Sequence, residues 1–246
     1  MALQIVIPDY GTAIKRIARM VGHPVPADPA GSIDSAILQM GEAINVGLSE
    51  LLGLYAWQDL QQRHTISVQQ DTPGQKEKAY PLPEDYYRLI SQTEWSSGSM
   101  TPATGPISPQ AWQAAMAQNT IQTSLYWQIR NDKIWFLSPP STPTDFSFMY
   151  ISRAQVIDAD DPTMLKNVAE KNGDQFLLDG FVVTLFGRAK YLEWKGFDAS
   201  AATRDFWTAY SSRTGGDKSA PVLNLSGPRG VPLIGSHSLP SSGYGG

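Results

Sequence analysis

The sequence predicts an α+β chain: an α-helical bundle from N- and C-terminal helices, an inserted antiparallel β-domain, and an extended C-terminal tail. Three observations predict it. Apolar residues recur at helical spacing near both ends of the chain. Between His64 and Ser152 the period drops towards two, and aromatic and β-branched residues take over. The last stretch, Thr214 to Gly246, is more than half Gly, Pro and Ser and has no helical period. The units that follow are residues 1–63 (N-terminal helices), 64–156 (β-domain), 157–213 (C-terminal helices) and 214–246 (tail).

Each element has a local reason. Thr12 to Val21 reads as a short helix with Ile14, Ile17 and Val21 on one face, stopped by Gly22 and Pro24. A second helix begins near Ser32, with Ser32 and Ser35 as candidate caps. Ile33, Ile37, Met40, Ile44, Leu48, Leu51 and Leu52 form its apolar stripe. Gly41, Gly47 and Gly53 weaken that helix by ~1 kcal/mol each relative to Ala, which points to close packing against a neighbouring backbone.

In the β-region, Thr65-Ile66-Ser67-Val68 alternates, and Pro81 and Pro83 mark strand edges. Ser108 caps a short helix with Pro109 in its first position, and Trp112 and Met116 face inward. The turn Asn131-Asp132 makes a hairpin of Leu125 to Ser138. Asp145 to Ser152 is a further strand with Phe146, Phe148 and Tyr150 on one face. Helix returns at about Asp174 and repeats to Gly196, and a shorter helix spans Asp198 to Ser212 with Phe206 and Tyr210 one turn apart.

Composition narrows the function. The net charge of −4 argues against a dedicated nucleic-acid binder, which would carry a basic patch. There is no cysteine, so disulfides and thiolate metal sites are excluded. The start MALQIVIPDYG has no basic region and breaks at Pro8, so it makes a poor signal peptide. No apolar run approaches the roughly eighteen residues of a membrane span. The expectation is a soluble protein made in a cytoplasm, with no membrane partner.

Catalytic and metal signatures are missing from the sequence. His23, His64 and His237 have no mutual helical spacing and no flanking Glu, so there is no zinc motif. No nucleophile elbow or phosphate-binding loop occurs. Asp158, Asp160 and Asp161 cluster like calcium ligands, but the calcium-loop register and its distal Glu are absent, and a solvated loop is the simpler reading. Glu84, Asp85 and Glu94 have no spacing that brings them together for acid–base work. Trp57, Trp95, Trp112, Trp127, Trp135 and Trp194 could form a sugar-stacking platform, but their positions at element ends and in strands suit packing. No catalytic residue, cofactor or metal ligand is assigned.

The tail cannot bury a core of its own, and ordering it costs on the order of 30–60 kcal/mol in backbone entropy. Its apolar residues come in two short clusters: Val222, Leu223 and Leu225, then Val231, Leu233 and Ile234. These six are the candidate partner-binding anchors, suited to docking in extended form.

Several segments, in order, resemble the head-to-tail adaptor (connector) proteins of short-tailed phages, the group related to tail tubular protein A. They are YAWQDLQQRHTISV (55–68), YPLPEDYYRLI (80–90), GPISPQAWQ (105–113), WQIRNDKIWFLSPP (127–140) and FMYISRAQV (148–156). The late helix pair, residues 174–210, continues the likeness, which covers roughly residues 10 to 213. The resemblance implies a non-enzymatic virion protein of the neck or tail, assembled in the host cytoplasm. It implies a ring of twelve copies bound beneath the portal protein. That ring extends the channel for double-stranded DNA, which passes without specific binding, and carries the tail nozzle or tail tube protein. The alternative is a carbohydrate- or receptor-binding tail component with exposed aromatic residues. A hydrolase is the remaining rival, and no nucleophile–base motif supports it.

Overall fold

The helices start where acidic side chains satisfy their first free backbone N–H groups. In the computed structural model, which describes residues 9–97, 101–117 and 125–218, Asp9 Oδ1 accepts from Thr12 N at 2.6 Å and opens α1 (Tyr10–Met20). Asp34 accepts from Ala36 N at 2.8 Å and opens α2 (Ser35–Leu54). The cap of α2 is therefore Asp34 and not Ser32 or Ser35. Ile33 lies outside the helix and is 97% exposed, so it leaves the predicted stripe. The rest of the stripe, from Ile37 to Leu52, is buried.

A 3-10 turn, Gln58–Leu60, leads from α2 into the sheets. The strands are β1 (Gln61–Val68), β2 (Glu77–Pro81), β3 (Tyr86–Leu89), β4 (Trp95–Ser96) and β5 (Thr101–Pro102). Helix α3 (Pro109–Ala117) follows, and Ser108 Oγ accepts from Ala111 N at 3.2 Å as the cap motif predicts. Trp112 of α3 is buried and Met116 half-buried. The hairpin β6 (Tyr126–Arg130) and β7 (Lys133–Leu137) turns at Asn131 and Asp132, with φ of 51° and 54°, as a left-handed two-residue turn requires.

Strand β8 (Thr144–Ser152) organises the largest sheet. It pairs along its length with β1 on one side and with β4 and β3 on the other, and β5 lies beyond β4. A second sheet has the order β2-β7-β6, so Pro81 sits on an edge strand as expected. All these ladders are antiparallel. Between the two sheets Ile66, Val68, Trp127, Ile134, Phe136, Phe146, Phe148 and Tyr150 form one buried cluster.

Residues 156–176 build a third sheet, which was not legible in the sequence. Its strands are β9 (Val156–Ile157), β10 (Leu165–Lys166) and β11 (Gln175–Phe176), in the order β10-β9-β11. Helix therefore does not return at Asp174. It returns at α4 (Gly180–Trp194), where Asp179 accepts from Phe181 N at 2.9 Å. The last helix, α5 (Ser200–Lys218), runs past Ser212 and into the segment read as tail. Thr214 is buried, with Oγ1 donating to Tyr210 O at 2.9 Å.

Helices α1, α2, α4 and α5 share a second buried cluster, to which Ile151 of β8 also belongs. The closest approach is between α2 and α4. A Cβ at Gly187 would lie 2.9 Å from Ile44 Cγ1 and 3.2 Å from Ile17 Cδ1. One at Gly47 would lie 3.1 Å from the Phe186 ring and 3.8 Å from Gly187 N. Backbone contact is thus confined to Gly47 among the three glycines of α2. Gly41 lies under the Tyr10 ring, and Gly53 is exposed.

Candidate functional site

The sequence-level candidates for chemistry are scattered. His23 stands 3.5 Å from Asp34, and His64 meets the Phe148 ring edge-on. His237 lies outside the described residues. Asp85 accepts from the Tyr150 hydroxyl at 2.8 Å; burial, and then this bond, push the phenol up. Glu84 is exposed, and Glu94 is buried, which raises its carboxyl although backbone N–H groups of residues 92–94 partly oppose this. The three carboxylates do not meet. Among the described residues no group of three or more His, Cys, Asp or Glu could hold a metal ion.

Two members of the acidic cluster pair with lysines, and the third, Asp161, accepts from Thr163 Oγ1 at 2.6 Å. Asp158 is held by Lys166 at 2.9 Å and Lys171 at 3.1 Å, and Asp160 by Lys171 at 2.5 Å. The Lys166 bond, first of several, keeps the Asp158 carboxyl well below the usual carboxylate range. Asp174 is the centre of this network and is fully buried. Burial alone would raise it, yet Lys166 at 2.7 Å and the N–H groups of Lys171, Glu170 and Ala159 hold it low. The same loop carries the start of α1: Tyr10 N donates to Asp174 O at 2.8 Å and Gly11 N to Asn172 O at 3.0 Å. The network fastens the third sheet to α1, which is a structural role. Tyr10 beside it is raised to about 12, first by its own burial and then by the Glu42 and Asp174 carboxylates.

The tryptophans divide. Trp57, Trp112 and Trp127 are fully buried. Trp135 is half-buried with the Arg130 guanidinium 3.8 Å from its ring, and Arg130 also pairs with Glu77 at 2.8 Å. Trp112 Nε1 donates to the same Glu77 at 3.2 Å, which ties α3 to the hairpin. Trp95, Trp194 and Trp207 instead face solvent, so packing inside the monomer does not account for Trp95 and Trp194.

A further feature is a groove of about 660 Å³ along α4 and α5, with Met20 at the end of α1 on its edge. Phe181 and Leu185 supply an apolar floor, and Arg188, Arg204 and Asp205 supply charge. Phe181 is half exposed here. Arg188 Nη1 reaches Asp205 Oδ2 at 3.4 Å, while its buried Nε has no hydrogen-bond partner among the described residues. The six tail anchors, Val222 to Leu225 and Val231 to Ile234, lie outside the described residues.

What these surfaces offer is packing and docking. A comparison with curated proteins gives no match. A family model, described as SU10 adaptor protein, matches residues 8–222, which takes in every described helix and strand. The likeness read from the ordered segments is thereby borne out, and the chain belongs to the SU10 adaptor protein family of phage head-to-tail adaptors.

Proposed function

We propose that the chain is the subunit of a head-to-tail adaptor ring in the virion neck. Twelve copies bind beneath the portal protein, extend the DNA channel and carry the tail nozzle. The observation that carries this reading is the family match over residues 8–222. The role is structural and not catalytic.

Two buried clusters support two structural units. Helices from both ends of the chain share one core and the strands between them share the other, which supports a bundle with an inserted β-domain. The bundle builds the ring and meets the portal, and the β-domain faces the nozzle. A mildly acidic subunit, with a net charge of −4, lets DNA pass, because tight DNA binding needs Lys and Arg to neutralise phosphates. Among the described residues no helix is long and apolar enough to cross a membrane.

The segment after Lys218 threads along a neighbouring subunit or a portal groove, with Val222, Leu223, Leu225, Val231, Leu233 and Ile234 as anchors. Because Thr214 is buried in α5, the informative truncation ends at Lys218 and not before residue 214. Native mass measurement of the full chain with and without the portal protein tests the ring. Assembly of about twelve copies on portal is the expected result, and a monomer that ignores portal at every concentration overturns it. A chain cut after Lys218 should fold but bind portal more weakly. Equal binding removes the tail from the reading.

The exposure of Trp95 and Trp194 favours one alternative, a carbohydrate- or receptor-binding tail component. Tryptophan emission that is quenched by added sugars would support it.

A further inference from the structure

We propose that the groove along α4 and α5 is one half of a head-to-tail contact between copies of this chain, and that the Trp207 flank of α5 is the other half. The proposal rests on the ring reading and names the surfaces that make it. Heterologous contacts need two different faces on each subunit, placed apart, so that copies add in one direction until the ring closes.

Helix α5 has this form. At 3.6 residues per turn, its buried residues Ala202, Phe206, Tyr210 and Thr214 make a single narrow stripe. Asp205 and Ala209, which line the groove, fall on one flank of that stripe, and Trp207 falls on the other. Trp207 is 46% exposed, held at 5.4 Å edge-on to Tyr210 and 5.0 Å from Phe206. A large indole kept in place by its neighbours loses little entropy on docking, and tryptophan is enriched among the anchors of protein interfaces.

The groove suits an indole. Phe181 and Leu185 give an apolar floor, and a volume of about 660 Å³ admits one large ring with its backbone. Arg188 and Arg204 stand at its side, and guanidinium groups stack on aromatic faces, most favourably on tryptophan. The occupant is a second copy, through its Trp207.

The test uses the full-length chain, its Phe181→Glu and Trp207→Gln variants, and a one-to-one mixture of the two, followed by sedimentation and native mass measurement up to millimolar concentration. Both side chains are about half exposed, so the variants should fold, and circular dichroism checks this. The wild type should self-associate, and each variant alone should do so on the order of thirtyfold more weakly or less. The mixture should stop at a heterodimer, because one sound groove then meets one sound tryptophan and the second pair of faces is broken. The heterodimer also shows that both variants are folded. Variants that assemble like the wild type, or a mixture that yields no dimer or a full ring, overturn the surface assignment. A wild type that stays monomeric throughout also overturns it, and the ring itself is then decided by assembly on portal.

Discussion

The helical core and the β core are filled in opposite ways. Where α1, α2 and α4 meet, small residues such as Ala13, Ala18, Ala43, Gly47 and Gly187 let backbones approach, and Ile14, Ile17 and Ile44 fill what remains. The β core is made of rings: Phe146 packs at 4.9 Å from Phe136, 5.7 Å from Phe148 and 6.0 Å from Trp127. Facing sheets stand about 10 Å apart, so large side chains must span the gap. Helices joined through glycine leave no gap. The first core is limited by crowding, and the second by the risk of voids.

Truncation should therefore hurt the β core most. Phe146→Ala is expected to cost about 4 kcal/mol in urea unfolding, through lost burial and a cavity bordered by three rings. A cost below about 1 kcal/mol would mean the sheets collapse to fill the space, and the contrast would fail.

The seam between the third sheet and α1 should respond next. Asp174→Asn leaves Lys166 without its buried partner and should cost about 3 kcal/mol. The pH sign follows from the lowered Asp174 and Asp158 carboxyls. Their contribution is complete above the unfolded carboxylate pKa of about 4 and is lost as pH falls through the depressed native values. Wild-type stability should then drop steeply below about pH 4, and the Asn variant should show a shallower acid limb. Equal acid limbs for the two proteins would remove Asp174 from the account.

Enlargement should hurt the helical core. Gly187→Val places carbon against Ile44 and Ile17 and should cost about 2 kcal/mol. A neutral Gly187→Val would erase the distinction. The smallest effect should be a gain. Asp132→Gly relieves a left-handed φ of 54° and makes an Asn-Gly turn, worth roughly 0.5–1 kcal/mol of added stability by thermal melting.

The contrast also explains what was legible. The hairpin at Asn131-Asp132, the Ser108-Pro109 helix start and the buried face of Phe146, Phe148 and Tyr150 rest on signals within a few residues, and all were readable. The third sheet was not, because two-residue strands such as Val156–Ile157 carry no period. Asp34 and Asp179 went unnoticed as caps because polar residues near a helix start compete on equal terms until backbone geometry chooses among them. The Gly-, Pro- and Ser-rich composition places the start of the tail at Thr214, yet α5 runs on to Lys218, with buried Thr214 in its last turns.

By itself the sequence determined the α+β class, the order of the main elements and the likeness to phage adaptors, because each depends on short-range pattern or on segments in fixed order. Only the tertiary structure decided that Asp174 is buried on Lys166, that Gly187 is the point of closest helix approach, and that Phe181 and Arg188 face a groove. Those outcomes depend on which elements pack together. Asn172 and Asp174 hold the start of α1 from far along the chain, and no local pattern encodes a contact of that separation.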